Sequence, residues 1–207
     1  MDELYEMLYG FIRSAINLKN LPRQGWIRVG IPLSAVESIA DHSYNTAMLS
    51  LLLSDIHNIK FPEQALNSEY VMRIAIVHDL PECQFQDFDR QIQLLLGEDE
   101  YNELKHKLLI NASTELLSLI LNKEVKLQWK KMFHDVIYRV SPESRFVSYV
   151  DKMEVLIQAL AYEKLGYESL LFDDFWRTGL FHLKNCPFEV INELVNLLKE
   201  ERNRLHQ

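Results

Sequence analysis

Glycine is scarce, at 6 of 207 residues, against an average share of roughly 7%. It supplies the positive-φ positions of tight hairpins and the bare backbone of phosphate-cradling loops. The shortage therefore disfavours β-sandwiches and glycine-rich nucleotide loops. Cysteine is scarcer still. With only Cys83 and Cys186, the chain has neither a disulfide framework nor a multi-cysteine zinc site. Both read as thiols in a reducing compartment. Basic residues are in deficit, 22 Lys and Arg against 30 Asp and Glu, for a formal charge of −8. That balance argues against gripping long nucleic acid through its phosphates. Long apolar runs are missing too. The most apolar stretch, residues 47–53, is interrupted by Ser50 and is far too short to span a bilayer, so no membrane partner is expected. The opening Met1-Asp2-Glu3-Leu4 lacks the basic segment and apolar core of a signal peptide. A cytoplasmic location is expected.

What is present is ordinary for a globular chain: 48% hydrophobic and 25% charged residues, enough to bury a core. The apolar residues fall at helical spacing almost throughout. Leu4, Met7, Leu8, Phe11, Ile12, Ala15 and Ile16 predict a helix over about 3–18. An irregular connection should follow over 20–38, then helices over about 39–57 and 67–79, the latter capped by Asn67 or Ser68 and stopped by Pro81. A short element is expected near 91–96 and long helices over about 98–121 and 123–138. Ser141-Pro142-Glu143 is a strong helix start, for a helix running to Leu165 with Gly166 past its end. A short aromatic-rich helix over 168–183 and a last one from Pro187 to about 204 complete the chain. No strand is demanded and no repeat is present. The expectation is an all-α, single-domain helical bundle of about eight to ten helices over residues 1–207, with its motif-bearing core at about 20–165 and C-terminal helices at 168–205.

The chemistry lies in dispersed histidines and acids. The apolar run from Ile74 to Val77 leads straight into His78-Asp79, which places that pair at the edge of the core. A charged Asp there is costly unless paired or bound to a cation, and a helix C-terminus itself favours a cation. An imidazole beside a carboxylate is a mixed N/O donor set for Mn, Fe, Co, Ni or Zn. A His-Asp dipeptide alone says little. By chance about one chain of this length in five holds one, and His134-Asp135 is a second. That second pair lies in a polar stretch and reads as solvated surface. His42, near the start of its helix, reads equally as a locally bonded histidine. Asp151 borders the seam Phe146, Val150, Met153, Ile157 and Leu160, where an acid needs a partner. Three helices would have to converge to unite His42, His78-Asp79 and Asp151, which is how metal sites are built in helical bundles.

Glu37-Ser38-Ile39-Ala40-Asp41-His42-Ser43, His78-Asp79-Leu80-Pro81-Glu82 and Val150-Asp151-Lys152 together form an H…HD…D pattern. It resembles the HD-domain metal-dependent phosphohydrolases, and within them the 5′-deoxynucleotidase-like branch, over roughly residues 20–165. The resemblance implies that His42, His78, Asp79 and Asp151 bind one divalent metal ion, with Mn, Co, Zn, Ni, Fe or Mg as the candidates. It implies that Glu82 is a catalytic acid/base beside the metal and that Asp87 lies at the site, although Gln86 stands where the family usually has Gly. An Arg and a Trp upstream of the first His contact phosphate and sugar in the family. The candidates here are Arg23 and Trp26, with Arg28 competing for the arginine role. Trp26 reads equally well as a loop anchor.

The implied activity is phosphate release from (deoxy)nucleoside 5′-monophosphates, with a small nucleotide as substrate and a homodimer as the assembly. The amphipathic C-terminal helix, with Val190, Leu194, Leu197 and Leu198, either packs in cis or forms the dimer contact. Alternatives are an HD phosphohydrolase for nucleoside triphosphates or alarmones, or a non-catalytic metal or nucleotide sensor. Cys83 after Glu82 counts against the alarmone reading, where an Asp is usual. The presence of Glu82 counts against the sensor.

Overall fold

The computed structural model describes residues 3–85 and 90–207. Among these residues every regular element is helical. In chain order they are α1 (Glu3–Ile16), α2 (Gln24–Arg28), α3 (Ile39–Lys60), α4 (Ser68–Val77), α5 (Arg90–Leu96), α6 (Glu98–Ser118), α7 (Lys123–Tyr138), α8 (Pro142–Lys164), α9 (Asp173–Leu183) and α10 (Glu189–Leu205), with 3₁₀ turns at Asn17–Asn20, Pro62–Gln64, Leu80–Gln84 and Ser169–Phe172. The all-helical expectation holds. No helix among the described residues is long and apolar enough to cross a membrane.

The chain divides into two compact units, Met1–Tyr44 with Ile76–Val140, and Asn45–Ala75 with Ser141–Gln207. In the first, α6 packs on α5, on α7 and on the turn Leu80–Gln84. Ala112, Ser113 and Leu116 are its buried residues. Trp129 sets its ring edge-on to Phe11 at 5.2 Å, which holds α1 against α7. In the second unit α8 is the central helix, flanked by α9 and α10. It buries Phe146, Val150, Met153, Leu156 and Leu160. Val190 and Leu198 are buried as well, so half of the C-terminal apolar seam packs in cis, while Leu194 is half-buried and Leu197 stays exposed.

Local signals explain the boundaries. The side chain of Ser141 caps α8 by accepting from Ser144 N at 3.0 Å, and Pro142 occupies the first helical position, where its missing N–H costs nothing. At the other end, Gly166 takes φ +94°. Gly166 N donates to Glu163 O at 3.0 Å and Tyr167 N to Tyr162 O at 3.2 Å, the paired bonds of a Schellman cap. The region expected to be irregular, 20–38, differs in one respect, because α2 forms inside it. The same paired bonds close that short helix, Gly30 N to Ile27 O and Ile31 N to Trp26 O, both at 3.0 Å. The burial of Trp26, 1% exposed, holds it in place.

Candidate metal centre

The first unit brings His42, His78, Asp79 and Arg23 together. His42 sits in the first turn of α3, and that turn is held by a capping box. Ser38 Oγ accepts from Asp41 N at 3.1 Å while an Asp41 oxygen accepts from Ser38 N at 2.9 Å. Just upstream, Arg23 N donates to Glu37 O at 3.0 Å and Ile39 N to Leu21 O at 2.8 Å, so residues 21–23 and 37–39 are tied side by side. His42 is fully buried. His78 follows the last residue of α4. Pro81 prevents the helix from running on, and Asp79 turns the backbone at φ −104°, ψ 5° into the Leu80–Gln84 turn. That reversal directs the Asp79 carboxylate back toward both histidines.

One oxygen is the meeting point. Asp79 Oδ2 lies 3.3 Å from His78 Nε2, 3.6 Å from His42 Nε2 and 3.4 Å from Arg23 Nη1. The two imidazoles are edge-to-face with ring centroids 5.5 Å apart. Burial pushes the Asp79 carboxyl up, but the adjacent His78, by charge and hydrogen bond, and then His42 and Arg23 outweigh it and hold Asp79 well below the usual carboxylate range. The donor set fits a divalent cation. Ligand atoms about 2.1 Å from an ion sit roughly 3–3.5 Å from one another; here the Asp79 oxygen is 3.3 Å from the nitrogen of His78 and 3.6 Å from that of His42. Two imidazoles and an ionised carboxylate are the mixed donors such ions accept.

Glu82 stands one turn on. Its backbone N–H donates to Asp79 O at 3.0 Å, and its side chain is buried, with the residue 2% exposed. Lys105 of α6 places its Nζ 3.8 Å from Glu82 Oε1. Trp26 donates its indole N–H to Glu37 Oε1 at 2.8 Å. A Glu37 carboxylate oxygen and a His42 ring nitrogen lie within 4.8 Å of each other. Arg28 ends α2, half-buried. Asp151 lies half-buried on α8 of the second unit, with Lys152 Nζ 2.9 Å from its Oδ2. Asp87 lies outside the described residues.

Two findings go beyond the sequence reading. His134 is exposed as expected, but Asp135 is buried on α7 beside buried Met132 and Phe133, so the second His-Asp pair is split between surface and core. Glu37 and Lys105 had drawn no role from sequence. Glu37 lay inside the quoted motif and was available as a signal. Lys105 lies 23 positions from Glu82, with no spacing rule to link them.

The HD-domain family profile matches residues 15–178. The chain belongs to the HD-domain family. A 5′-deoxynucleotidase from Xenopus laevis is similar to this HD domain, 30% identical over 95% of this chain and 88% of its own length. Another from Danio rerio is 32% identical over 94% of this chain and 87% of its own. Among solved structures, a conserved hypothetical protein from Pyrococcus furiosus matches with a TM-score of 0.70 at 29% identity, covering 94% of this chain and 99% of its own.

Proposed function

We propose that this chain is a metal-dependent phosphohydrolase that releases phosphate from (deoxy)nucleoside 5′-monophosphates. The observation that carries the reading is the convergence of His42, His78 and Arg23 on one oxygen of Asp79, in a chain whose curated relatives are 5′-deoxynucleotidases. His42, His78 and Asp79 would hold one divalent ion, and Asp151 is assigned the fourth ligand place on the sequence resemblance. Such an ion, when bound, polarises a phosphoryl oxygen and makes bound water more acidic.

The remaining work falls to side chains. In hydrolysis the water oxygen bonds to phosphorus, the P–O5′ bond breaks, and the departing nucleoside oxygen takes up a proton. Glu82, buried beside Asp79, is suited to accept a proton from water and deliver one to that oxygen. Asp87 keeps the supporting role implied by its place after the His-Asp pair. Arg23 faces the cluster and supplies a planar, permanently charged donor for phosphate oxygens. Arg28 is the alternative. The burial of Trp26 and its bond to Glu37 favour an anchoring role in the wall of the site over stacking on sugar or base.

Pairing with a second copy is part of the same reading. The outward face of α3 carries exposed Tyr44, Met48, Leu52, Ile56 and Ile59, at the three- and four-residue spacing of one helix stripe. Apolar stripes of that extent on soluble chains mark association surfaces. A phosphate-release screen over ribo- and deoxynucleoside mono-, di- and triphosphates with Mn, Co, Zn, Ni, Fe and Mg tests the activity. Release from monophosphates supports it, and release from triphosphates alone overturns it. Light scattering on wild type and Leu52→Glu tests the pairing. A dimer that Leu52→Glu makes monomeric supports it, whereas a monomeric wild type overturns it.

A further inference from the structure

We propose that Lys105 is a positioning residue for Glu82, which sets the direction of that carboxylate by charge. The proposal rests on the reading that Glu82 moves the proton in phosphate-ester hydrolysis. The Glu82 backbone is already fixed by its N–H bond to Asp79 O. The Glu82 side chain in turn lies 3.8 Å from the Lys105 ammonium at its Oε1, and this is where Lys105 acts. Lys105 stands two helical turns before Ala112 and three before Leu116, both buried, so it shares the inward stripe of α6, the helix that packs on the Leu80–Gln84 turn. Its stem runs along that face and its ammonium reaches the rim, with 35% of the side chain exposed.

An exposed lysine paired with an exposed acid is worth little. Here the acid is buried, and a buried carboxylate deprived of its counter-charge is costly. The contact therefore governs where the Glu82 side chain points. At 3.8 Å the ammonium is beyond hydrogen-bond reach of Oε1, for which about 3.2 Å is the outer limit of a good N–H···O bond. It steers the carboxylate without donating a proton to that oxygen, which suits a group that must itself accept one.

The test compares Lys105→Met, which keeps the stem and removes the charge, with Lys105→Arg, which keeps the charge. Circular dichroism and metal content are measured on each. Misplacing a catalytic group by about 1 Å costs on the order of 100-fold in rate. Lys105→Met is expected to lower kcat about 10- to 100-fold with KM for the nucleotide changed less than about threefold, and Lys105→Arg to restore most of kcat. A kcat within about twofold of wild type, or a raised KM at unchanged kcat, overturns the assignment, the latter because it marks direct substrate binding. The crystal structure of Lys105→Met reads the same point without turnover. Glu82 is expected to change rotamer, and a carboxylate left in place overturns the proposal. If wild type releases no phosphate from any nucleotide while binding its metal, the activity reading fails, and the rotamer comparison still decides the role of Lys105.

Discussion

Arg202→Met in α10 should cost the fold about 3 kcal/mol, a figure that follows from what the guanidinium holds. Glu163, in the last turn of α8, has no exposed side-chain surface, and Arg202 is only 18% exposed. Arg202 Nε donates to both Glu163 oxygens, at 2.9 and 3.2 Å. Its Nη2 reaches Ser169 O at 3.2 Å and Asp173 Oδ1 at 2.6 Å. The guanidinium carbon lies 5.0 Å from the centre of the Trp176 ring. Methionine keeps the apolar stem and removes every donor. Removing one partner of a buried ion pair typically costs about 3–5 kcal/mol. His206 Nε2, 3.0 Å from Glu163 Oε2, remains as a partial partner and sets the lower end. For a chain of this length each 1 kcal/mol shifts Tm by about 2–4 °C, so a fall of about 6–12 °C is expected. Urea and thermal unfolding of Arg202→Met, Glu163→Gln and the double variant make up the assay. The double variant should be about 1–2 kcal/mol more stable than the sum of the two losses. A loss under about 1 kcal/mol, or strict additivity, would show that water already solvates Glu163 and that the network behaves as a surface pair.

Three further outcomes follow from the geometry. His78→Ala should abolish stoichiometric binding of Mn, Co or Zn, whereas His134→Ala, at an exposed position of α7, should leave it intact; metal analysis after gel filtration reads both. Burial pushes both thiols up to about 11 from an ordinary value of 9.0. Cys83 and Cys186 should therefore resist a thiol reagent at pH 8 until the chain unfolds, and their contribution to stability, complete below about pH 9, should be lost as pH rises toward 11. Gly179→Ala should destabilise despite alanine's helix advantage of about 1 kcal/mol. Its Cβ would come within 2.7 Å of a methyl of Leu156, itself fully buried on α8, and overpacking typically costs about 1–3 kcal/mol. A net loss of about 1 kcal/mol in urea unfolding is expected, and a gain would show that Leu156 repacks freely.

Much of the helical layout was legible because its punctuation is chemical. Ser141, Pro142 and Gly166 mark the ends of α8 whatever the rest of the chain does, and the expected and observed helices agree there within one residue. Pro187 misled slightly, since α10 begins at Glu189 with Phe188 as its cap; a proline can sit just outside a helix as well as in its first turn. The short α2 was illegible because five residues carry too little periodicity, and the burial of Trp26 that stabilises it is a tertiary event. The histidines and Asp79 were readable from motif spacing, and their convergence on one oxygen was not, since it depends on the backbone reversal at Asp79. The buried state of Asp135 escaped because Lys130, Lys131 and His134 make its stretch look wet. The neighbour that buries an acid belongs to the fold and not to the adjacent sequence.

The buried face of α3 is unusually polar for a helix. Inward it buries His42, Ser43, Thr46, Ser50, Ser54 and His57 alongside Ile39, Ala47 and Leu53, and outward it shows Tyr44, Met48, Leu52, Ile56 and Ile59. Repulsion between copies that each carry −8 opposes contact along that stripe most strongly in dilute buffer. At 0.01 M ionic strength such repulsion reaches about 30 Å, and at 0.15 M about 8 Å. Self-association through α3, as proposed above, should therefore strengthen as salt is added, the reverse of a contact built on ion pairs.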